Sequence, residues 1–364
     1  MTIPSAASAG VAALPDVVYV TAGETTAIAH SELTANDVVP AGMSVTVDQW
    51  PLDGTLTPGA SAFDFTPDAD YYGPTTFTYR ITGTNGTASA DVVVVVISSI
   101  EAVSGRWSVR RPHSGPACSL GDGSEIGFYF REDRTFRLCD FTGSDVGHCE
   151  DWPVPSSVAV GDRALPLFGD WDQDGWDEPA LFDPDTGLIE RFDYGVGCIT
   201  TGPCLDHDGT WDPGLAETEM PIAVPGVSGQ QVLGYDWHLR QITSGAPPGQ
   251  SVPVTNPTWP EVGDWSGLDG PLLGEWDGST ETFHFLIDGS GAGSSTLQPF
   301  GPQGPVTVGM PFSGLWSGCG TEAYFGIFDE ASGFLGLYES FSLFEGAPSR
   351  PPVHVKVPVD PPDS

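Results

Sequence analysis

The sequence predicts an all-β protein in which an N-terminal β-sandwich precedes a ring of five β-sheet repeats. Short runs of β-branched and aromatic residues alternate with clusters of turn residues along the whole chain. Glycine contributes 47 of the 364 residues and proline 34, which supplies many turns without reaching the content typical of disordered chains. From about residue 105 onward the sequence repeats at a spacing of about 50 residues. A chain of this length is expected to form two or three domains.

The predicted β-sandwich covers residues 16–99. It contains about seven predicted strands separated by turn residues: Val17–Val20, Thr25–Ala29, Ser44–Val47, Gly54–Thr57, Ala62–Phe65, Thr75–Ile81 and Ala88–Ile97. This density of short strands is typical of a β-sandwich. The preceding residues, 1–15, are predicted to be a flexible arm.

The stretch Phe65–Tyr79, together with Leu33-Thr-Ala-Asn-Asp and the closing run Ala90–Val96, resembles the cadherin-like, Ig-like repeats of bacterial surface and adhesion proteins. The resemblance implies an Ig-like sandwich. Members of that family often bind Ca²⁺ with acids that follow the Asn-Asp pair. Here Val38, Val39 and Pro40 follow Asn36-Asp37, so we expect a turn without calcium in this domain.

Residues 105–345 are predicted to form five repeats after a linker at 100–104. Each repeat begins with a proline that is followed within a few residues by glycine, and two strands joined by a tight turn come next; the prolines are Pro116, Pro166, Pro221, Pro260 and Pro311. Radial packing of such units is the β-propeller solution. An open or differently curved array of repeats is the alternative.

The fifth repeat is incomplete, because the chain turns into a Pro-rich tail at 346–364. We expect its missing strands to come from Arg106–Arg111 and Pro116–Leu120. The sequence therefore predicts a five-bladed β-propeller that is closed by strands from both ends of the module.

The strongest chemical motif is Asp170-x-Asp172-x-Asp174-Gly175-x-x-Glu178. Alternate acids place hard oxygen ligands around one pocket, the glycine permits a sharp reversal, and the Trp176 carbonyl is a further ligand, so we expect one structural Ca²⁺ site. A solvated acidic turn without metal is the alternative. The surrounding stretch, Phe168–Phe182, resembles the FG-GAP or VCBS-type repeats of bacterial secreted proteins and integrin-like propellers, which implies the same calcium role.

The six cysteines predict an extracellular or cell-surface location. We expect disulfides between Cys139 and Cys149, between Cys198 and Cys204, and between Cys118 and Cys319, which occupy comparable turns between repeats. Six reduced, buried thiols are the alternative. The N-terminus lacks the charged region of a secretory signal, so either a leader has been removed or export uses another route.

Charge and motifs exclude several functions. The net charge of −37, with a single lysine, Lys356, repels phosphate backbones and excludes nucleic acid as a partner. The longest apolar run, Val92–Ile97, is too short to insert into a membrane. No nucleophile elbow, HExxH motif or P-loop occurs, and we interpret Asp206-His207-Asp208 as a surface histidine, so no catalytic residues are predicted.

Five tryptophans lie in turns or outside the repeat register, which makes them candidates for exposure and ligand binding: Trp176, Trp211, Trp237, Trp259 and Trp276. Trp171, Trp265 and Trp316 recur in register and are predicted to be packing residues.

The order of modules predicts a non-catalytic extracellular binding or adhesion protein. In this hypothesis the Ig-like domain is a spacer that presents a calcium-stabilised propeller to a surface glycan or protein. A structural subunit of an extracellular assembly or filament is one alternative, because the Ig-like domain and the arm Thr2–Val11 offer strand pairing for self-association. A carbohydrate-active enzyme is the other alternative.

Overall fold

The computed structural model consists of two compact units, Met1–Val96 and Ile97–Ser364. The structure describes residues 10–39, 42–69, 71–105, 107, 125–141, 146–172, 176–195, 203–223, 232–244, 251, 258–263, 272–277, 282–288, 291–296, 309–314, 324–330, 333–338 and 353–356. Strands dominate both units, as the sequence predicts.

The first unit contains seven strands and one helical turn. One sheet has the order β1 (Asp16–Thr21), β7 (Gly86–Ile97), β6 (Gly73–Gly83), β3 (Ser44–Gln49), and the other has the order β2 (Thr26–Ala29), β5 (Ala62–Pro67), β4 (Gly54–Pro58); α1 is His30–Leu33. Each predicted strand of this unit is present. Side chains from both sheets share one buried core, in which Val20, Phe65 and Val94 are fully buried.

The N-terminal segment is anchored to this core, so the predicted flexible arm ends earlier than residue 15. Val11 and Ala13 pack against the core, and Ala12 forms a β-bridge with Val38. Alternation of apolar and small residues in this segment permits the packing. The earlier part of the arm, residues 1–9, lies outside the described residues.

The Asn36-Asp37 pair is part of the same anchor. The Asp37 carboxylate accepts hydrogen bonds from the Leu14 N–H at 2.7 Å and from the Tyr79 hydroxyl at 2.7 Å. The Asn36 side-chain amide donates to Asp16 at 3.1 Å. These contacts give the pair a structural role.

Within its described residues the second unit contains five antiparallel sheets, each built from strands that follow one another along the chain. In chain order the sheets are β8 (Ile100–Gly105), β9 (Glu125–Phe130), β10 (Thr135–Phe141), β11 (Val146–Pro153); β12 (Leu165–Gly169), β13 (Glu178–Asp183), β14 (Leu188–Tyr194), β15 (Leu205–Trp211); β16 (Glu219–Ala223), β17 (Val232–Asp236), β18 (Gln241–Ser244); β19 (Trp259–Gly263), β20 (Leu272–Asp277), β21 (Thr282–Asp288), β22 (Gly291–Thr296); and β23 (Met310–Gly314), β24 (Tyr324–Asp329), β25 (Phe334–Tyr338), β26 (Val353–Lys356).

The first strands of these sheets contact one another in a cycle. β8 contacts β12, β12 contacts β16, β16 contacts β19, β19 contacts β23, and β23 contacts β8. Residues of all five strands line one cavity of about 130 Å³. The five sheets are therefore arranged around a common centre.

The first and fifth sheets meet at a seam with its own apolar core. Phe128 lies with its ring centroid 5.1 Å from that of Phe328, and Phe312 and Leu335 are buried in the same cluster. The Glu330 carboxylate accepts hydrogen bonds from the hydroxyl groups before β8, Ser98 and Ser99. The seam thus joins segments that are far apart in the sequence.

Two predictions about this seam were wrong. The predicted linker at 100–104 is strand β8, and it was missed because β8 has no proline: Ala102 occupies the position of Pro166, Pro260 and Pro311 in three of the other first strands. The predicted Pro-rich tail at 346–364 contains strand β26, which completes the fifth sheet by pairing with β25. Prolines flank that strand without interrupting it.

The closing mechanism is consequently different from the predicted one. The first and fifth sheets each use their own consecutive strands, and no sheet among the described residues combines strands from both ends of the module. The segments that were expected to complete the fifth repeat, Arg106–Arg111 and Pro116–Leu120, lie outside the described residues except for Trp107.

The second strand of each sheet carries a small residue at one register position. These residues lie opposite the first strand and are Gly127, Ala180, Gly234, Gly274 and Gly326. At Gly326 an added Cβ would collide with the Phe312 ring. The first and second strands can therefore pack their side chains closely only while this position stays small.

Candidate metal centre and central cavity

The acidic motif forms the loop between β12 and β13. Gly169 and Glu178 are paired at the base of this hairpin, so the chain reverses between them. Asp170, Asp172 and Glu178 each offer one carboxylate oxygen, and these three oxygens lie within 4.8 Å of one another. Asp170 and Glu178 are buried, whereas Asp172 is exposed.

Trp171 fixes the geometry of this loop. Its backbone N–H donates to Glu178 Oε2 at 2.9 Å, and its indole N–H donates to the Glu178 carbonyl at 2.8 Å. Trp171 is buried, with 6% of its surface exposed, which confirms the prediction that it is a packing residue. The Tyr194 hydroxyl, from β14, donates to the Asp177 carbonyl at 2.9 Å and holds the other end of the loop.

The donor set fits a hard cation. Three converging carboxylates supply only oxygen ligands, which is the chemistry that Ca²⁺ prefers. Asp174, the third acid of the motif, lies outside the described residues. Trp176 is half-buried at the end of the loop.

The predicted exposed tryptophans separate into two groups. Trp237, Trp259 and Trp276 are buried, so the expectation of exposure was wrong for them. The physical reason is packing between neighbouring sheets: the rings of Trp237 and Trp259 lie 5.8 Å apart, and Trp276 lies 5.5 Å from Phe325. Trp176 and Trp211 are half-buried and remain accessible.

One predicted disulfide is confirmed in full. Cys139 and Cys149 are bonded across β10 and β11, where they are directly opposite each other. Cys204 is also disulfide-bonded, while its expected partner, Cys198, lies outside the described residues. Both members of the third expected pair, Cys118 and Cys319, lie outside them as well.

His207 is a surface residue paired across two strands. Its Nε2 lies 2.6 Å from Glu190 Oε2, and the Thr210 hydroxyl donates to the same oxygen at 2.8 Å. Glu190, rather than the flanking Asp206 and Asp208, is therefore its carboxylate partner. Since the histidine and the hydroxyl share one acceptor, the arrangement does not align them as base and nucleophile.

Three buried carboxyl groups line the central cavity, those of Glu101, Asp177 and Glu261, and sequence reasoning missed Glu101 and Glu261. Glu101 of β8 forms a buried ion pair with Arg131, and burial raises the pKa of Glu101 to about 7 although Arg131 opposes the change. Glu261 of β19 is 9% exposed. Burial raises the pKa of Glu261 to about 8, although hydrogen bonds from Ser313 and Trp259 favour its ionised form.

The signal that could have revealed Glu261 is an acid in the middle of an apolar strand, Trp259-Pro-Glu-Val-Gly263. The cavity itself is small. At about 130 Å³ it falls short of the roughly 300 Å³ or more of a pocket for an organic ligand. It has room for a few waters or one ion.

The match to a known protein family lies in the first unit. The bacterial Ig domain family matches residues 7–95. No curated protein matches the chain. No helix among the described residues is both long and apolar enough to cross a membrane.

Several solved structures resemble the chain at low similarity. An auxiliary nutrient binding protein from Bacteroides ovatus is 11% identical, with a TM-score of 0.28, and the match covers 91% of this chain and 84% of that chain. A second protein of that description, from Bacteroides thetaiotaomicron, is 10% identical, with a TM-score of 0.21 over 89% and 94% of the two chains. A candidate phosphatase from Bacteroides thetaiotaomicron is 9% identical, with a TM-score of 0.23 over 88% and 92%. Scores this low carry no argument about fold or function. The family match, in contrast, agrees with the seven-strand sandwich described above, and the N-terminal unit is an Ig-like domain.

Proposed function

We propose that this chain is a non-catalytic extracellular binding protein. In this proposal the Ig domain is a spacer, and the five sheets form a five-bladed β-propeller that binds a surface glycan or protein. The observation that carries the proposal is the cycle of contacts among the first strands, β8, β12, β16, β19 and β23. A ring of sheets displays its connecting loops at two ends, where a large partner can be bound without a deep pocket.

The ligand surface is expected at the loops. The central cavity is too small for a sugar, whereas Trp176 and Trp211 offer accessible indole surface. Indole rings combine a large apolar face with one polar group, which suits them to binding surfaces. The disulfide between Cys139 and Cys149 supports an oxidising, extracellular location.

The full chain, screened against an array of glycans and a panel of surface proteins, is expected to give a saturable hit. Trp211→Ala and Trp176→Ala are the test variants. Trp50→Ala is the matched control, because Trp50 is 58% exposed but belongs to the Ig domain. Loss of binding in a test variant with retention in the control supports the proposal. A clean blank with the wild-type chain, or loss only in the control, contradicts it.

We further propose that the acidic loop binds a structural Ca²⁺ ion through Asp170, Asp172, Asp174 and Glu178, together with the Trp176 carbonyl. The converging oxygens of the three described acids support this. Ions that bind only the folded state add about 2.7 kcal/mol at a hundredfold excess over Kd, so Ca²⁺ is expected to raise the melting temperature.

Magnesium at equal ionic strength is the control for this calcium test, because screening alone stabilises a chain with a charge of −37. Mg²⁺ prefers a compact octahedral site and keeps its waters. Equal shifts with both ions, or a calcium shift of undiminished size in Asp172→Ala, would show that the loop holds no calcium.

A further inference from the structure

The central cavity is surrounded by unpaired strand edges. Among the residues that the structure describes, each of the five first strands is the terminal strand of its sheet and pairs on one side only. Residues from all five line the cavity. The backbone N–H and C=O groups on the free edges of these strands are therefore the polar groups nearest to the centre of the ring.

Prolines make these edges rich in hydrogen-bond acceptors. Four first strands carry a proline that lines the cavity. Pro166, Pro260 and Pro311 lie at the same level, one residue before the position opposite the small residue of the second strand, and Pro221 lies at that position itself. Proline has no N–H and fits an edge strand with its nitrogen turned away from the paired neighbour. In an antiparallel ladder the nitrogen and the carbonyl of one residue face the same side. The proline carbonyls consequently face the free edge, with no N–H beside them.

A carboxylate completes this oxygen-rich lining. Glu261 follows Pro260 directly and is nearly buried at the cavity. Ser313 and Trp259 hydrogen-bond to it. The other acids of the lining are Glu101, which is paired with Arg131, and Asp177. Among the described residues that line the cavity there is no lysine, arginine or histidine.

We infer that the central cavity is a binding site for one hard cation, held by carbonyl oxygens of the proline-bearing edges and by the Glu261 carboxylate. Carbonyl and carboxylate oxygens are the ligands that Na⁺, K⁺ and Ca²⁺ prefer. The volume of about 130 Å³ accommodates such an ion with a few waters, since one water takes about 30 Å³. The net charge of −37 attracts cations to the molecule. The site is distinct from the three converging carboxylates of the acidic loop and from the proposed ligand surface, although Asp177, at the end of that loop, also lines the cavity.

The test uses the full chain with Asp172→Ala, so that the loop does not contribute. Melting is measured at about pH 9 in choline chloride and, at constant ionic strength, with part of the choline replaced by NaCl, KCl or CaCl₂. Choline is too large for the cavity and controls for screening. At least one metal salt is expected to raise the melting temperature by about 5 °C at a hundredfold excess over Kd. Identical melting temperatures in all four salts would overturn the inference.

Two further measurements assign the effect to Glu261. Glu261→Gln in the same background is expected to lose the metal-specific shift, while Glu132→Gln, at an exposed turn of the same unit, keeps it. If Glu261→Gln does not fold, Glu261→Asp in the same background replaces it, and the metal-specific shift is expected to shrink because the shorter side chain withdraws the carboxylate from the site. A shift that persists unchanged in Glu261→Gln or, where that variant does not fold, in Glu261→Asp refutes the site.

Discussion

The pH dependence of stability should reveal the cost of burying Glu261. In a choline medium free of metal salts, Glu261→Gln is expected to stabilise the chain at neutral pH. The folded-state pKa, about 8, lies above the ordinary value of 4.5. The folded chain therefore holds a proton that the unfolded chain has lost. The stability that this proton contributes is fully present below about pH 4.5 and is lost as the pH rises through about 8.

The size of the effect follows from the two pKa values. Each pKa unit corresponds to about 1.4 kcal/mol, so the full penalty above about pH 8 is roughly 5 kcal/mol. Between about pH 5 and pH 7 the wild type should lose roughly 3 kcal/mol relative to Glu261→Gln, which corresponds to about 6 °C in melting temperature for a unit of this size. Other titrating groups, Glu101 among them, are common to both chains and cancel in the difference.

The assay is calorimetric melting of wild type, Glu261→Gln and the control Glu132→Gln at several pH values. The difference between wild type and Glu261→Gln should widen with pH, while the difference for the exposed control stays flat. A difference that is constant from about pH 5 to pH 8 would refute the reasoning, because it would mean that Glu261 titrates alike in both states. Loss of stability in Glu261→Gln at every pH would instead indicate a required carboxylate.

Three further changes test the packing described above, each by its melting temperature. Gly326→Ala is expected to lower the free energy of unfolding by about 1–3 kcal/mol because the new methyl group meets the Phe312 ring. Phe312→Leu in the same chain should restore part of the loss, and a double variant whose loss equals the sum of the two single losses would contradict the contact. Tyr79→Phe should cost about 1–2 kcal/mol, since the hydroxyl lies 2.7 Å from the Asp37 carboxylate and 3.0 Å from the Leu33 carbonyl, and an unchanged value would show that water replaces it. Cys149→Ser should lower the free energy of unfolding by about 2–4 kcal/mol relative to wild type under oxidising conditions, and the two chains should be equally stable under reducing conditions. An equal loss in both conditions would indicate that the cysteine contributes through packing.

Local periodicity made most strands predictable from the sequence. The two strands joined by a tight turn that were predicted after the proline of each repeat are present, for example β13 (Glu178–Asp183) and β14 (Leu188–Tyr194) after Pro166, because alternation and the turn between them are encoded within a few residues. The Cys139–Cys149 disulfide was predictable for the same reason, since a short separation places the two residues across one hairpin.

Tertiary features were not predictable in the same way. The burial of Trp237 and Trp259 depends on the next sheet, and nothing near either residue in the sequence encodes that neighbour. Strand β26 pairs with β25, but the sequence that precedes β26 is rich in glycine and proline and gives no indication of a strand. The acidic loop could be found as a motif. An acid within an apolar strand singles out Glu261, but its position at a cavity lined by five strands is not encoded in the neighbouring sequence.

The seam between the first and fifth sheets has a consequence for the timing of folding. Ser98 and Glu330, which it joins, are separated by 232 residues, and synthesis at roughly 5–20 residues per second needs roughly 10–50 s to cover that distance. During most of this interval Phe128 has been synthesised, but Phe328, which it contacts at the seam, has not. The growing chain therefore exposes the apolar surface around Phe128 until nearly the whole chain has been synthesised. We expect losses to aggregation during biosynthesis to depend on how well that interval is protected, independently of the stability that the finished protein attains.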